Sequence, residues 1–598
     1  METPRPSKIP FWRLVYDTGV VTDEIVNHPY PGSGSENDPY VITWIPNDPR
    51  NPMNFSGWKK WYVTFLVSFA TMAVSLVSSA YTGGIAQVMK EFGVVKEVAL
   101  LGVSLFVLGF AIGPLIWSPM SEVFGRRNVF SFTFTLLTVF NAGSAGSKNI
   151  QTLIILRFLA GCFGSSPFGN AGGVIADLFP AAKRGIAISL FSSAPFLGPC
   201  LGPVIGGFLG AGAGWRWVEG FLAAFSGAVW IAMLIFLPET YAPVLLRRRA
   251  EKLSNISGQV YRSKFDIDRG NVKLGKMLTT ALSRPWILLV REPIVFLFTL
   301  YLSIVYGTLY MLFAAYPIVF QEVRGWSQGI GGLAFIGVLV GMLLAVIYTF
   351  PENMKYAKMC SQSTERLAPE LRLPPSMVGG IALPVGLFWF AWTNYPSVHW
   401  MAPVAAGAPF GFGMVLVFLS VFNYLIDSYT IFAASVLAAN SLLRSIFGAV
   451  FPLFTTYMYH DLGIHWASSI PAFLSLACVP FPFIFYKYGA QIRERCTFAA
   501  EAEAFMQRLS EQKQPEPQPQ ESLKEKPDTE AGTNASDDSG DSGSEALSTL
   551  PSRASIARHA SRASRRSANS AVQYEENPYD IDRVHTRQSA ISNNHEKG

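Results

Sequence analysis

Gly198-Pro199-Cys200-Leu201-Gly202-Pro203-Val204-Ile205-Gly206-Gly207 lies inside a run from Ile186 to Trp215 that carries no charged residue. In water such a density of glycine and proline ruins a helix, because proline costs ~3 kcal/mol and glycine ~1 kcal/mol relative to alanine. In a bilayer the alternative is worse, since an unpaired backbone amide has no water to turn to. The segment therefore reads as a membrane helix kinked at its prolines, with a smooth glycine face that admits a neighbouring helix closely.

The rest of the 598 residues follow the same logic: half are hydrophobic and only 15% are charged, which excludes an ordinary soluble domain. Trp61–Met89, Val98–Ser121, Val129–Ser147, Ile186–Trp215, Gly220–Leu237, Pro293–Phe320, Gly325–Pro351 and Leu462–Tyr486 are uncharged and about as long as the ~20 residues that cross hydrocarbon. Leu373–Ile426 holds 54 residues without Asp, Glu, Lys or Arg, room for two spans with a turn near Thr393–Ser397. Two more apolar runs each enclose one arginine, Thr152–Ala176 around Arg157 and Ser428–His460 around Arg444. The sum is an all-α polytopic membrane protein with twelve transmembrane helices. Its regions are a polar lead at 1–60, a six-helix half at 61–240, a connector at 241–290, a second six-helix half at 291–489 and a polar tail at 490–598. The tail is too rich in Ser, Glu, Gln, Arg and Pro to bury a core and reads as disordered.

Lysine and arginine set the orientation. Tyr241–Arg291 carries eleven of them, Arg126-Arg127 and Lys183-Arg184 lie on the same side, and the opposite loops are short and nearly neutral. Both termini are therefore expected in the cytoplasm. The five cysteines fall in spans or on that side, which argues against a disulfide framework. The formal charge of +6 reflects loops facing anionic lipid and not a nucleic-acid partner. No G-x-x-x-x-G-K-[ST] sequence is present, so ATP does not drive this chain by a P-loop, and nothing points to an enzyme or a cofactor.

Several residues carry chemistry. Between spans 2 and 3, Ser118–Arg127 places Glu122 four residues before Arg126 with Gly125 at the turn, a spacing that suits a latch between two helix ends. Arg157 sits ~10 Å from the outer end of span 4, and an arginine inside a span usually faces the bundle interior and marks a substrate or proton path. Arg444, near mid-membrane in span 11, reads as an interior gate or substrate contact for the same reason. In span 7, Tyr306, Tyr310 and Phe313 share a face that suits a cavity wall, with Asn423, Tyr424 and Asn440 as polar contacts. Span 1 has no carboxylate, which leaves Asp177 at the inner end of span 4 and Glu219 near the outer end of span 6 as acidic candidates. An echo links the halves: Ile175-Ala176-Asp177 precedes Pro203 at nearly the distance by which Leu425-Ile426-Asp427 precedes Pro452. In the tail, Arg553-Ala554-Ser555, Arg558-His559-Ala560-Ser561 and Arg562-Ala563-Ser564 are of the kind that basophilic kinases read.

Three of these motifs resemble those of the major facilitator superfamily. The Gly198, Gly202, Pro203, Gly206 and Gly207 spacing is similar to the fifth-helix antiporter motif, and Leu153, Arg157 and Gly161 to the fourth-helix motif. Ser118–Arg127 resembles the G-x-x-x-D-x-x-G-R-[RK] loop, with Ser118 and Glu122 as departures. Asp48-Pro49-Arg50-Asn51-Pro52, Leu237-Pro238-Glu239-Thr240-Tyr241 and Asn423 to Tyr429 look like the fungal twelve-span drug:proton antiporter branch, which includes polyamine and toxin exporters. The resemblance implies that Glu122 and Arg126 lock the two halves, that Arg157 serves proton coupling and that Gly198–Gly207 favours export.

The expected function is proton-coupled efflux of hydrophobic or amphipathic small molecules by alternating access, from the plasma membrane or alternatively the vacuolar membrane. The partners implied are a small-molecule substrate, protons, the lipid bilayer and a kinase on the tail. The alternatives are a polyamine or nutrient transporter of the same fold and a transporter-like membrane sensor. Protease protection of intact cells tests the topology: tags near Gly258 and at Gly598 are expected inside and one near Gly93 outside, and external cleavage at Gly258 would overturn the orientation.

Overall fold

The computed structural model describes residues 9–180, 184–269, 274–362 and 367–513. Among the described residues, ten helical stretches are long and apolar enough to cross a membrane. They supply span 1 (Gly57–Phe92), span 2 (Lys96–Phe124), span 4 (Ile150–Leu178), span 5 (Arg184–Ala213) and span 6 (Trp215–Phe236) in the first half. In the second half they supply span 7 (Pro293–Val323), span 8 (Gln328–Cys360), span 9 (Pro374–Trp392), span 10 (Met401–Ser428) and the stretch Thr430–Arg495. That last stretch of 66 residues is two spans, because Gly463 turns the chain at φ 76°, ψ 160°, a conformation side chains rarely adopt. Span 3 is Arg126–Ala145, whose Thr133, Thr135, Thr138 and Asn141 lower its hydropathy without preventing it from packing on spans 4 and 6. Among the described residues the membrane part is thus an all-α bundle of twelve spans.

The glycines of span 5 explain how the first half closes on itself. Gly198, Gly202, Gly206 and Gly210 recur every four residues on one face, and span 1 lies directly on that face. A Cβ at Gly198 would sit 2.6 Å from the Cβ of Ser75, and one at Gly206 would run into the carbonyl of Ala80. Pro203 and Gly207 point elsewhere, to span 8: a Cβ on Gly207 would meet the Gln328 carbonyl at 2.9 Å, and Gly332 packs on the Pro203 carbonyl. One glycine–proline segment therefore serves two contacts, one inside a half and one between halves.

The halves meet at the end of the bundle opposite the connector, and span 2 also packs along span 11. At the end opposite the connector Gln328 donates to the Gly83 carbonyl and Lys96 pairs with Glu322 at 3.0 Å, and nearer mid-span Cys200 meets the Met342 sulfur at 3.7 Å. Ser78 and Tyr310 join spans 1 and 7 by a hydrogen bond of 2.8 Å.

The polar lead is ordered where it is described. Tyr40–Ile42 pairs in parallel with Tyr261–Ser263 of the connector, and Asp48 takes a buried ion pair from Arg249 at 2.6 Å. Arg50 is buried beside them and donates to the Glu239 carbonyl at 3.2 Å. Burial pulls its guanidinium down to about 10, against the opposing pull of Glu239. The connector holds two long helices, Ala242–Ser257 and Leu274–Arg291.

The expectation of disorder from residue 490 needs correction. Span 12 continues to Arg495, and Thr497–Lys513 forms a further helix. Its Phe498, Ala499, Ala502 and Phe505 make a helical apolar stripe against the bundle, while Glu292 accepts from Phe498 N at 2.9 Å and Thr497 Oγ1 at 3.1 Å. That stripe is invisible in a composition averaged over the whole tail. The serines at 555, 561 and 564 lie outside the described residues.

The two glycine contacts should separate under substitution. Gly206→Leu forces backbone apart inside one half, an overpacking cost of about 1–3 kcal/mol or more, and should lower the amount of folded protein in the membrane. Gly207→Leu should leave that amount near wild type and slow transport about tenfold, equivalent to about 1.4 kcal/mol against the closed seam. Surface abundance and initial transport rate per molecule check both, and equal effects of the two substitutions would contradict the assignment.

Candidate functional site

A cavity of about 270 Å³ opens between the halves toward the connector end. Its walls come from spans 2, 4 and 5 on one side and spans 10 and 11 on the other, with the connector helix Leu274–Arg291 at the mouth. Phe168, Phe191, Phe196, Leu419 and Phe422 make it predominantly apolar. Its charged groups are Arg126, Arg184, Arg284 and Arg444 against Glu122 and Asp177.

The mouth is organised by the turn between spans 2 and 3. Span 2 stops at Gly125, whose φ of 95° breaks the helix, and span 3 starts immediately with Arg126. Glu239, just past span 6, accepts from the Arg126 and Arg127 backbone amides at 3.0 and 3.1 Å. A carboxylate at a helix N-terminus satisfies otherwise unpaired donors and complements the dipole. The Arg126 side chain reaches Asp177 at 3.5 Å and Ser121 Oγ at 2.6 Å, and lies over the Tyr241 ring. Thr240 donates to the same Asp177 oxygen at 3.2 Å.

The second half repeats the device. Asp427 ends span 10 as Asp177 ends span 4, and it pairs with Arg372 at 2.9 Å. Burial works against the Arg372 charge, but Asp427 and Tyr356 outweigh it and hold its pKa above the ordinary arginine value. Glu370, two residues earlier, pairs with Arg493 of span 12 at 2.9 Å.

Arg157 lies apart from the cavity, with no exposed surface. It pairs with Glu219 of span 6 at 3.0 Å and donates to the carbonyls of Gly102 on span 2 and Val77 and Ser78 on span 1. The Tyr81 and Phe106 rings flank its guanidinium at 4.6 and 4.8 Å. Among the described residues, Glu219 Oε2 has no hydrogen-bond partner. Ser78, which receives Arg157 at its carbonyl, uses its hydroxyl to bond Tyr310 across the halves.

Residues 67–452 match the Major Facilitator Superfamily family profile. The chain belongs to the major facilitator superfamily. It is 62% identical over 593 residues to the "Major facilitator superfamily multidrug transporter mdrA" of Aspergillus fumigatus, covering 98% of this chain and 97% of that one. It is 60% identical over 587 residues to the "MFS-type efflux pump MFS2" of Trichophyton rubrum, again covering 98% and 97%. Against the "Major facilitator-type transporter sorT" of Penicillium rubens the identity is 51% over 495 residues, covering 82% and 94%. Among solved structures, the proton:xylose symporter XylE superposes with a TM-score of 0.53 at 16% identity, over 73% of this chain and 96% of that one, which speaks for the fold alone.

The facilitator fold brings some of the expected site residues together and separates others. Arg126 and Asp177 meet at the mouth beside Glu122, which adds to the electrostatic field on Arg126. Glu122 and Arg126 stand on two helices, Glu122 in the last turn of span 2 and Arg126 at the start of span 3, with Gly125 between them. Asn423 and Arg444 line the cavity, but Tyr306, Tyr310, Phe313, Tyr424 and Asn440 do not. Span 7 packs against span 11, with Gly307 on Phe451 and Gly448 on Tyr306, so its aromatic face is covered. Tyr306 and Tyr310 instead pack tilted at 4.9 Å, and Tyr310 and Phe313 edge-to-face at 5.0 Å. Sequence reasoning gave Glu239, Arg372, Glu370 and Arg493 no role. Only the Asp177/Asp427 echo hinted at the second cluster.

Removing Arg157 should expose how much rests on it. Arg157→Ala leaves a buried carboxylate unpaired, a cost of about 3–5 kcal/mol. The solubilised protein should melt several degrees lower, and adding Glu219→Gln should recover much of the loss. Equal melting temperatures for the wild type and Arg157→Ala would show the pair to be dispensable to the fold.

Proposed function

We propose that this chain is a proton-driven exporter of hydrophobic or amphipathic small molecules, acting at the plasma membrane with both termini cytoplasmic. The observation that carries the reading is the cavity itself: apolar, situated between the halves, open at the connector end and sealed at the other by the span 5–span 8 seam. Relatives at 62% and 60% identity bear the names multidrug transporter and efflux pump, which supports the direction of transport. The concentration of lysine and arginine in the connector supports a cytoplasmic mouth.

In this reading substrate enters from the cytoplasmic leaflet or cytosol and lies against the phenylalanines. The mouth then closes while the far seam of Lys96–Glu322, Gln328–Gly83 and Gly207–Gln328 parts. Glu219 is the proton carrier. A proton arriving at its unpartnered oxygen neutralises the carboxylate and weakens its hold on Arg157. Arg157 is bonded to the Ser78 carbonyl, and the Ser78 hydroxyl to Tyr310, so the change reaches the interface between halves. A polyamine cargo is disfavoured because the cavity presents four arginines and two carboxylates.

The test is uptake into inside-out vesicles with an imposed pH gradient, using a panel of azoles, dyes and polyamines. Accumulation of azoles or dyes that depends on an acidic interior is expected. Glu219→Gln should keep substrate exchange at equilibrium and lose the pH-driven accumulation. Wild-type accumulation indifferent to the gradient would reject proton coupling, and a Glu219→Gln protein that still concentrates substrate with the gradient would remove Glu219 from the carrier role.

A further inference from the structure

We propose that the blind end of the cavity is an anion site built on Arg444, and that the preferred cargo is an amphipathic molecule carrying a carboxylate or similar anionic head. The inference rests on the export reading above and names the chemistry of its substrate.

The cavity is lined along span 11 from Ala434 to Arg444, a depth of ~15 Å at the helical rise of 1.5 Å per residue. Arg444 stands at the inner end of that wall, 5% exposed. Its guanidinium lies over the Tyr306 ring at 4.8 Å and the Phe418 ring at 5.9 Å, and among the described residues its Nε has no hydrogen-bond partner. Among the described residues it forms no ion pair, whereas Arg157, the other mid-span arginine, is met by Glu219. An arginine this deep is expensive unless a counter-charge or water meets it. Aromatic faces recover only part of that cost. Five N–H donors in a planar fork suit a carboxylate in particular.

The carboxylates of the cavity are at the other end. Asp177 is the penultimate residue of span 4 and is bonded to Arg126 and Thr240, and Glu122 lies in the last turn of span 2. Neither faces the blind end. Between the two ends the walls are Phe168, Phe191, Phe196, Leu419 and Phe422. An entering molecule would therefore place its anionic head against Arg444 and its apolar body along the phenylalanines. Arg184 and Arg284 near the mouth add to the attraction for anions.

Binding to the purified full-length protein in phosphatidylcholine nanodiscs tests this without any transport. Three probes share one ring system: 1-naphthylacetate, 1-naphthylacetamide and 1-naphthylmethylamine. The carboxylate should bind about tenfold more tightly than the amide and the amine most weakly, tenfold being about 1.4 kcal/mol. Arg444→Gln should bring carboxylate and amide within about twofold of each other, and Arg444→Lys should keep part of the preference, since a point charge lacks the fork. Equal wild-type affinities, or a preference for the amine, overturn the proposal even where a variant fails to fold. A carboxylate preference that survives Arg444→Gln overturns it as well. Repeating the wild-type measurement with phosphatidylglycerol present separates the sources of anion. Unchanged carboxylate affinity supports a soluble cargo, and strong competition makes the occupant a lipid and overturns the cargo assignment. Failure of pH-driven transport with the carboxylate preference intact would sink the export reading alone.

Discussion

A guanidinium with no exposed surface, held far from bulk water, must find every one of its partners within the protein, and Arg157 does so on three other helices. Its partners are Glu219 on span 6, the Gly102 carbonyl on span 2 and the Val77 and Ser78 carbonyls on span 1. In hydrocarbon a missing partner cannot be replaced by solvent, so the positions of these four helices are mutually fixed. The same guanidinium is one residue away from the interface between halves, because Ser78 bonds Tyr310. Tyr306 donates to Tyr310 at 3.4 Å and presents its ring to Arg444. A chain of short polar steps thus joins the buried carboxylate of the first half to the cavity arginine of the second.

The charges at the mouth are of two kinds. The Asp427–Arg372 pair is partly exposed and can exchange partners at little cost, whereas Asp177 and Arg126 are buried and, like the Arg157 pair, are costly to separate. Their symmetry is imperfect in an informative way. In the first half a carboxylate after span 6 caps the start of span 3, and in the second an arginine ending span 12 grips Glu370 before span 9. The polarity is inverted while the position is kept. The polar lead joins this layer through Arg50, which holds the Glu239 carbonyl, and Asp48, which holds Arg249.

The spans were legible because hydrocarbon acts as a filter on single residues: one uncharged run is evidence by itself. The glycine face of span 5 was legible for a related reason, as only close backbone approach makes repeated glycine tolerable there. What escaped was pairing at long range. Glu239 caps a helix 113 residues away, and Arg126 finds Asp177 across 51 residues, so no local pattern announces either. The aromatic face of span 7 shows the opposite failure. Periodicity correctly groups Tyr306, Tyr310 and Phe313, but it cannot say whether a cavity or span 11 covers them.

Alternating access requires that the far seam part in every transport cycle, and Lys96–Glu322 crosses that seam. Cysteines at these two positions, in a background where the five native cysteines are serine, can be joined by a short thiol-reactive cross-linker. Cross-linking is expected to stop transport, reduction to restore it, and substrate binding in the cavity to survive. A protein that is fully cross-linked and still transports at the wild-type rate would contradict this requirement.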